Sequence, residues 1–97
     1  MELNTIVNDI YDIDENNIEV DLEVYINGNY ETSYLIKIDL RNLGLTNDMD
    51  YEFQLSKDLN RIVERLYKKQ NKIPSLRDIE KEVNDINYLI IDTRGLK

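Results

Sequence analysis

A long alternation of apolar and polar residues, interrupted once, constrains this chain more than any other feature. Every second residue in segments 18–26 and 30–40 is apolar, aromatic or threonine. Alternation with a period of two places successive side chains on opposite faces of a β-strand. Between the two runs stands Asn-Gly-Asn, residues 27–29, whose residue types favour tight turns. The sequence therefore predicts a β-hairpin with one buried face and one polar face.

The parity of the two runs predicts their register. Both apolar sets occupy even-numbered positions and must face the same core, whereas a regular two-residue turn would oppose even to odd residues. We therefore expect a three-residue loop, with Gly28 or Asn29 in the left-handed conformation. The pairs expected on the buried face are Ile26 with Tyr30, Leu22 with Tyr34 and Ile18 with Ile38. On the polar face the same register opposes Glu19 to Lys37, Asp21 to Leu35 and Glu23 to Ser33.

Three further segments have the periodicity of helices. Apolar residues at i, i+3, i+4, i+7 and i+8 predict an amphipathic helix over residues 2–12. A second helix is predicted to begin at a Ser56 cap, and a third follows Pro74, with Ser75 as its cap and Asp78 in its first turn. The predicted inward residues are Leu3, Ile6, Val7, Ile10 and Tyr11 in the first helix, Leu59, Ile62, Val63 and Leu66 in the second, and Leu76, Ile79 and Val83 in the third.

The remaining segments complete the predicted fold. Residues 87–93 are apolar on both faces, which is typical of a covered strand. Residues 42–55 fit either a strand or the start of a helix, so they stay unassigned. A chain of 97 residues has room for one hydrophobic core. We therefore predict one α+β domain over residues 1–97, with a three- to four-stranded sheet built on the β-hairpin and helices packed on one face.

The composition excludes several kinds of chemistry. The chain has no cysteine and no histidine, which removes disulfides, thiolate metal sites and the commonest general base. It contains no phosphate-binding glycine loop and no Gly-x-Ser-x-Gly motif. Asp12, Asp14 and Glu23 have the spacing of a calcium loop, but Asn17 stands where that loop has its turn glycine, and a strand follows. We expect a protein that is not an enzyme and needs no cofactor or metal.

Charge is divided between the two halves of the chain. Residues 1–55 carry 13 acidic and 2 basic side chains, whereas residues 56–97 carry 7 acidic and 10 basic ones. The segment from Asp9 to Glu23 has seven carboxylates and no cation. Such a segment is either a solvated face that aids solubility or a docking surface for a basic partner, and it repels nucleic acid. The predicted protein-binding residues are Asp9, Asp12, Asp14, Glu15, Glu19, Asp21, Glu23 and Tyr25.

In size and charge, the chain resembles the small acidic inhibitors that phages make against host restriction or CRISPR enzymes, some of which mimic DNA. On one strand face, Glu19, Asp21 and Glu23 would stand about 6.6 Å apart, close to twice the 3.4 Å rise per phosphate of one DNA strand. The resemblance implies an inhibitor that occupies the basic, nucleic-acid-binding surface of a partner. We expect no direct binding of DNA by the protein.

The second half of the chain supports an alternative function. Cations recur at intervals of four, four, three and four along the predicted Ser56 helix, opposite its apolar face. This basic stripe comprises Lys57, Arg61, Arg65, Lys68 and Lys72. The two helices around Pro74 resemble the first two helices of a winged-helix DNA-binding domain, although the base-reading third helix has no counterpart. The alternative is a nucleic-acid-associated or self-assembling module that uses the stripe.

The sequence also predicts where the protein acts. The first twenty residues carry six acidic side chains and no basic one, unlike a signal or transit peptide. The longest apolar run, residues 88–91, is too short to span a bilayer. We expect a cytoplasmic protein with no membrane partner, located in the host cytoplasm if it is made by a phage.

Overall fold

A computed structural model describes residues 2–48 and 50–84 of the chain. The elements are β1 (Leu3–Asp12), β2 (Asn17–Ile26), β3 (Asn29–Asp39), a short 3-10 turn (Leu40–Leu43), α1 (Glu52–Gln70) and α2 (Leu76–Val83). The strands form an antiparallel sheet in the order β1-β2-β3. α1 packs against β1, α2 packs against β3, and the helices contact each other. The predicted α+β class is confirmed, whereas the predicted strand at 87–93 lies outside the described residues.

The sheet has an inner face, covered by the helices, and an outer face. The even-numbered residues of β2 point inward, and Ile18, Val20, Leu22 and Val24 are all buried. They pack with buried residues of β3, of the segment that follows it and of both helices, such as Ile36, Leu40, Leu59, Ile62 and Ile79. Removing this apolar surface from water supplies the main driving force for the fold. The hairpin prediction is confirmed on its buried side.

The connection between β2 and β3 differs from the predicted three-residue loop. Asn27 and Gly28, with φ of 53° and 84°, form a two-residue turn, and Ile26 pairs with Asn29 instead of Tyr30. Both residues adopt the positive φ that such tight hairpin turns require. An extra residue in β3, Glu31, then shifts the register before Val24 meets Thr32. This bulge restores the even-to-even parity, so the predicted pairs Leu22 with Tyr34 and Ile18 with Ile38 are confirmed.

The predicted N-terminal helix is wrong, because residues 3–12 form strand β1. The strand contains a bulge between Val7 and Asp9, where no residue of β2 stands opposite Asn8 in the strand register. Leu3 and Val7 oppose Ile26 and Leu22, so they face inward, and after the bulge Ile10 faces inward opposite Val20. The bulge therefore gives the apolar residues a mixed spacing that also fits a helix.

The first long helix begins four residues before the predicted Ser56 cap. α1 starts at Glu52, and its N-cap Tyr51 makes no side-chain capping bond. The early start extends the buried stripe by one turn through Leu55, which lies four residues before Leu59. The predicted inward residues Leu59, Ile62, Val63 and Leu66 are all buried.

The second helix has the predicted capping box. The Ser75 side chain accepts a hydrogen bond from the Asp78 amide, and the Asp78 carboxylate accepts one from the Ser75 amide. Ile79 and Val83 are buried as predicted, but Leu76 is 38% exposed. Leu76 is the first helical residue, whereas Pro74, two residues earlier, is buried.

Candidate functional site: the outer face of the sheet

The outer face of the sheet collects four of the predicted acidic residues. Glu19, Asp21 and Glu23 alternate with the buried residues of the central strand β2, so they point away from the helices. Asp9 joins them because the bulge at Asn8 turns it outward, opposite Asp21. We call these four residues the acidic row. Neighbouring carboxylates along β2 stand about 6.6 Å apart on a regular strand.

The acidic row is held by hydrogen bonds to neutral side chains. Asn8 Nδ2 donates to Asp21 Oδ2 at 3.3 Å, and the Tyr25 hydroxyl donates to Glu23 Oε1 at 3.0 Å. Lys37 lies opposite Glu19 in register. Within residues 2–48 and 50–84, no ion pair joins a member of the row to a lysine or arginine. The row therefore presents negative charge that a partner's cations can meet.

Two tyrosines report the negative field of this face. The pKa of Tyr11 is raised, first by the charge of Asp9, then by desolvation and by the charges of Asp21 and Glu19. The hydrogen bond to Glu23 is the largest cause of the raised pKa of Tyr25. Both phenols resist ionisation because a second negative charge beside a carboxylate is unfavourable. The carboxylates thus act as one field across β1 and β2.

The other predicted acidic residues lie elsewhere. Asp12 is the last residue of β1, and Asp14 and Glu15 belong to the loop before β2. Asp14 Oδ1 accepts hydrogen bonds from the Asn16 amide, the Asn17 amide and Asn17 Nδ2. The Asn17 side chain is the main cause of the lowered pKa of Asp14. Asp14 therefore closes its own loop, and the segment serves as a turn between two strands.

Exposed apolar side chains that the sequence patterns did not single out flank the acidic row. Ile6 is 49% exposed opposite Glu23, Tyr11 is 49% exposed opposite Glu19, and Leu35 is 50% exposed opposite Asp21. We call Ile6, Tyr11 and Leu35 the apolar flanks. Leu35 was readable as an apolar residue on the polar face of its strand, but the helix prediction concealed the other two.

Tyr30 extends the aromatic surface at the hairpin end of the outer face. Its side chain is 56% exposed, and its ring meets the Tyr25 ring edge-on with centroids 5.9 Å apart. The Tyr30 hydroxyl donates to Ser33 Oγ at 3.3 Å. The prediction that Tyr30 faces the core is wrong, because the bulge at Glu31 follows it and reverses its facing.

On each outer strand of the described sheet, one backbone amide donates a hydrogen bond to a helix side chain. On β1, the Thr5 amide donates to Asn60 Oδ1 of α1 at 2.9 Å. On β3, the Lys37 amide donates to Glu80 Oε2 of α2 at 3.2 Å. Both strands also contain a bulge. Bulges and occupied edge donors hinder the addition of another strand, so a partner finds the outer face more accessible than these edges.

The basic stripe lies in the helical layer, with four of its residues on α1 and Lys72 in the loop that follows the helix. Lys57, Arg61, Lys68 and Lys72 are exposed, whereas Arg65 is half-buried and has an interaction partner. Lys68 Nζ lies 3.9 Å from Glu64 Oε2, a separation typical of weak exposed pairs. The stripe is therefore less continuous than its sequence spacing suggests.

Metal binding, membrane insertion and similarity to known proteins bear on other possible functions. Within the described ranges 2–48 and 50–84, no group of three or more acidic side chains is arranged to hold a metal ion. No helix in that part of the chain is long and apolar enough to cross a membrane. Comparisons with protein-family models, curated proteins and solved structures find no match to this chain.

Proposed function

We propose that this protein is a non-catalytic, inhibitory binding protein whose outer sheet face docks on a basic surface of another protein. The observation that carries the proposal is the acidic row, which is half-exposed or exposed, forms no ion pair among the described residues and is flanked by apolar side chains. Complementary charge speeds encounter and selects the partner. Exposed apolar area gives affinity that salt does not screen.

The apolar flanks favour docking over a purely solubilising role. A face that serves only solubility has no need to expose Ile6 and Leu35 beside carboxylates, because apolar area in water carries a free-energy cost. A protein interface commonly combines an apolar centre with charged groups around it. Here the order is inverted, with charge in the centre and Ile6 and Leu35 on the two sides. The expected partner surface carries a row of basic side chains with apolar side chains on both sides of it.

A nucleic-acid-binding surface is the partner surface that fits best. Such surfaces carry rows of lysine and arginine spaced to meet phosphates, and the spacing of carboxylates along β2 is about twice the phosphate rise of one DNA strand. Occupying that surface would block nucleic acid from it. The protein would then inhibit its partner in the manner of the anti-restriction and anti-CRISPR proteins that it resembles in size and charge.

The alternative function uses the basic stripe. Three exposed cations of the stripe on α1 and Lys72 just beyond the end of that helix support nucleic-acid association, or contact with the acidic row of a second copy. The half-buried Arg65 and the contact between Lys68 and Glu64 reduce the charge available to such a ligand. Retention on heparin at moderate salt would favour this alternative, whereas retention only on an anion exchanger favours docking by the acidic row.

A crosslinking experiment identifies the partner and the face that it meets. A photo-reactive amino acid replaces Leu35 on the outer face or, in the control, Lys69 on the exposed side of α1. We expect the Leu35 variant to capture one dominant protein from the source cells and the Lys69 variant to leave that protein uncaptured. Capture from the Lys69 position alone would contradict the proposal.

The captured partner is then used to measure association kinetics. Reversal of Glu19, Asp21 and Glu23 to lysine should slow association about tenfold or more and remove most of its salt dependence, because steering follows the summed field. The matched control reverses three exposed cations, Lys57, Arg61 and Lys72, to glutamate. That control should bind nearly as well as wild type. The opposite pattern would reject docking by the acidic row and favour the basic stripe.

A further inference from the structure

A groove lies at the seam between strand β1 and the first half of helix α1, and no member of the acidic row lines it. Its volume is about 420 Å³, within the range of small-ligand sites. Residues Phe53, Ser56, Lys57, Asn60, Arg61 and Glu64 line the helical wall, and Asn4 and Thr5 line the strand wall. The helical residues share one face because they recur at intervals of three, one, three, one and three.

An exposed aromatic ring is fixed beside a positive charge in this groove. Phe53 is the single phenylalanine of the chain, and its side chain is 74% exposed. Lys57, one helical turn later, places its Nζ over the Phe53 ring at 5.4 Å from the centroid, a cation–π contact. The ammonium covers one side of the ring, and the exposure of the ring leaves area for a planar group to stack.

Polar donors stand next to this pair. Arg61 follows Lys57 by one turn and is exposed, so two cations line the same wall. Asn60 Oδ1 accepts hydrogen bonds from both the Thr5 amide and the Thr5 hydroxyl, each at 2.9 Å. These bonds fix the orientation of the amide and leave its Nδ2 hydrogens to donate to a ligand. The groove thus combines a stacking surface, two cations and an oriented neutral donor with one carboxylate, Glu64, whose charge is partly balanced by Lys68 at 3.9 Å.

We propose that this groove binds a nucleoside monophosphate. The base stacks on Phe53, Lys57 and Arg61 hold the phosphate, and the Asn60 amide donates to an acceptor of the base or sugar. A free nucleotide fits better than a nucleic-acid strand, because the net charge of −8 repels a long polyanion more strongly than a single phosphate. The site does not depend on the proposed docking function.

The single phenylalanine makes the test specific. Ring protons of selectively labelled Phe53 are followed by NMR during titration with adenosine monophosphate, with inorganic phosphate, and with a short single-stranded oligonucleotide of adenines. Adenosine monophosphate should give a saturable upfield shift of the ring protons at millimolar concentration or below. Inorganic phosphate should shift the amide signals near Lys57 and Arg61 but leave the ring protons in place.

Matched variants assign the interactions. Phe53→Leu keeps an apolar side chain and should weaken nucleotide binding about tenfold, the typical effect of losing one stacking ring. Lys57→Gln should weaken it similarly. Lys69→Gln removes the same charge three turns further along α1, about 18 Å away, and should change nothing. Phe53 and Lys57 are exposed, so circular dichroism should show all three variants folded.

Four results would overturn the proposal. These are no saturable shift of the Phe53 ring, unchanged binding by the Phe53→Leu variant, equal affinity for phosphate and nucleotide, and an oligonucleotide affinity far above that for the mononucleotide. The last result would assign the groove to a strand and favour the basic-stripe function. Reversal of Glu19, Asp21 and Glu23 should leave nucleotide binding in place, so this proposal and the docking proposal fail or succeed separately.

Discussion

The two faces of the sheet carry opposite chemistry on the same strands. On β2 the inward residues from Ile18 to Val24 are at most 1% exposed, while Glu19, Asp21 and Glu23 between them remain half-exposed and charged. The inner face is enclosed by two helices, and the outer face meets a partner in our proposal. Because adjacent residues of a strand never share a surface, alternation allows the residues that stabilise the core and those that we propose for recognition to vary independently on β2.

The largest effect should come from breaking the inner face. Leu22→Ala removes a fully buried side chain opposite Tyr34 and should lower the free energy of unfolding by about 2–5 kcal/mol. Glu23→Ala, one residue further on, should lower it by less than about 0.5 kcal/mol, as expected of a surface substitution. Urea denaturation measures both. Equal losses of unfolding free energy would mean that the outer face contributes as much to stability as the inner face.

The bulge in β1 allows a second, smaller test of the same comparison. Deleting Asn8 leaves Leu3, Thr5, Val7 and Ile10 at regular alternating positions, so every inward residue of β1 keeps its place. This deletion should cost less than about 1 kcal/mol.

Deleting Ile6 is the matched control for that test. The strand can then keep its pairing only by turning Val7 outward and Asn8 inward, which loses apolar burial and buries an amide. This should cost about 1–2 kcal/mol more than deletion of Asn8. Urea denaturation compares the two deletions. If deletion of Asn8 costs as much as deletion of Ile6, the bulge is required in its own right.

The positions of the two bulges explain why one part of the fold could be predicted and another could not. The β2–β3 hairpin was predictable because its period of two is unbroken in β2 and the bulge in β3 falls next to the turn. The bulge at Asn8 lies inside β1, so Leu3, Val7 and Ile10 follow a spacing shared with helices. The segment is rich in β-branched and aromatic residues, which favour a strand, but the spacing alone does not distinguish a strand from a helix, and pairing with β2 decides between them.

The candidate site divides in the same way. Glu19, Asp21 and Glu23 could be placed on one face by parity alone. Asp9 could not, because the bulge decides which way it points, and the flank residues Ile6 and Tyr11 depend on the same strand. The groove beside Phe53 depends on where α1 begins, and the expected Ser56 cap placed that start one turn late. Long-range strand pairing therefore determines the facing of Asp9, Ile6 and Tyr11, which local sequence patterns do not specify.

The smallest effect concerns the electrostatic field of the outer face. The charge of Asp9 is the largest cause of the raised pKa of Tyr11, so Asp9→Asn should move that pKa down towards its ordinary value of 10.0. The Tyr11 phenol carbon can be followed by NMR in alkaline titrations, with its signal assigned by Tyr11→Phe. Glu31→Gln removes a carboxylate at the other end of the sheet and should leave the Tyr11 pKa unchanged.

The direction of the Tyr11 pKa shift also determines how this phenol affects the stability of the fold. A raised pKa means that the folded state holds the phenolic proton more tightly than the unfolded state, so this contribution is present below pH 10.0 and is lost as pH rises through the folded pKa. Added salt should reduce the wild-type shift, because the charges involved are exposed. If neither Asp9→Asn nor salt changes the Tyr11 pKa, the carboxylates of β1 and β2 do not form one field, and electrostatic steering by the acidic row loses its physical basis.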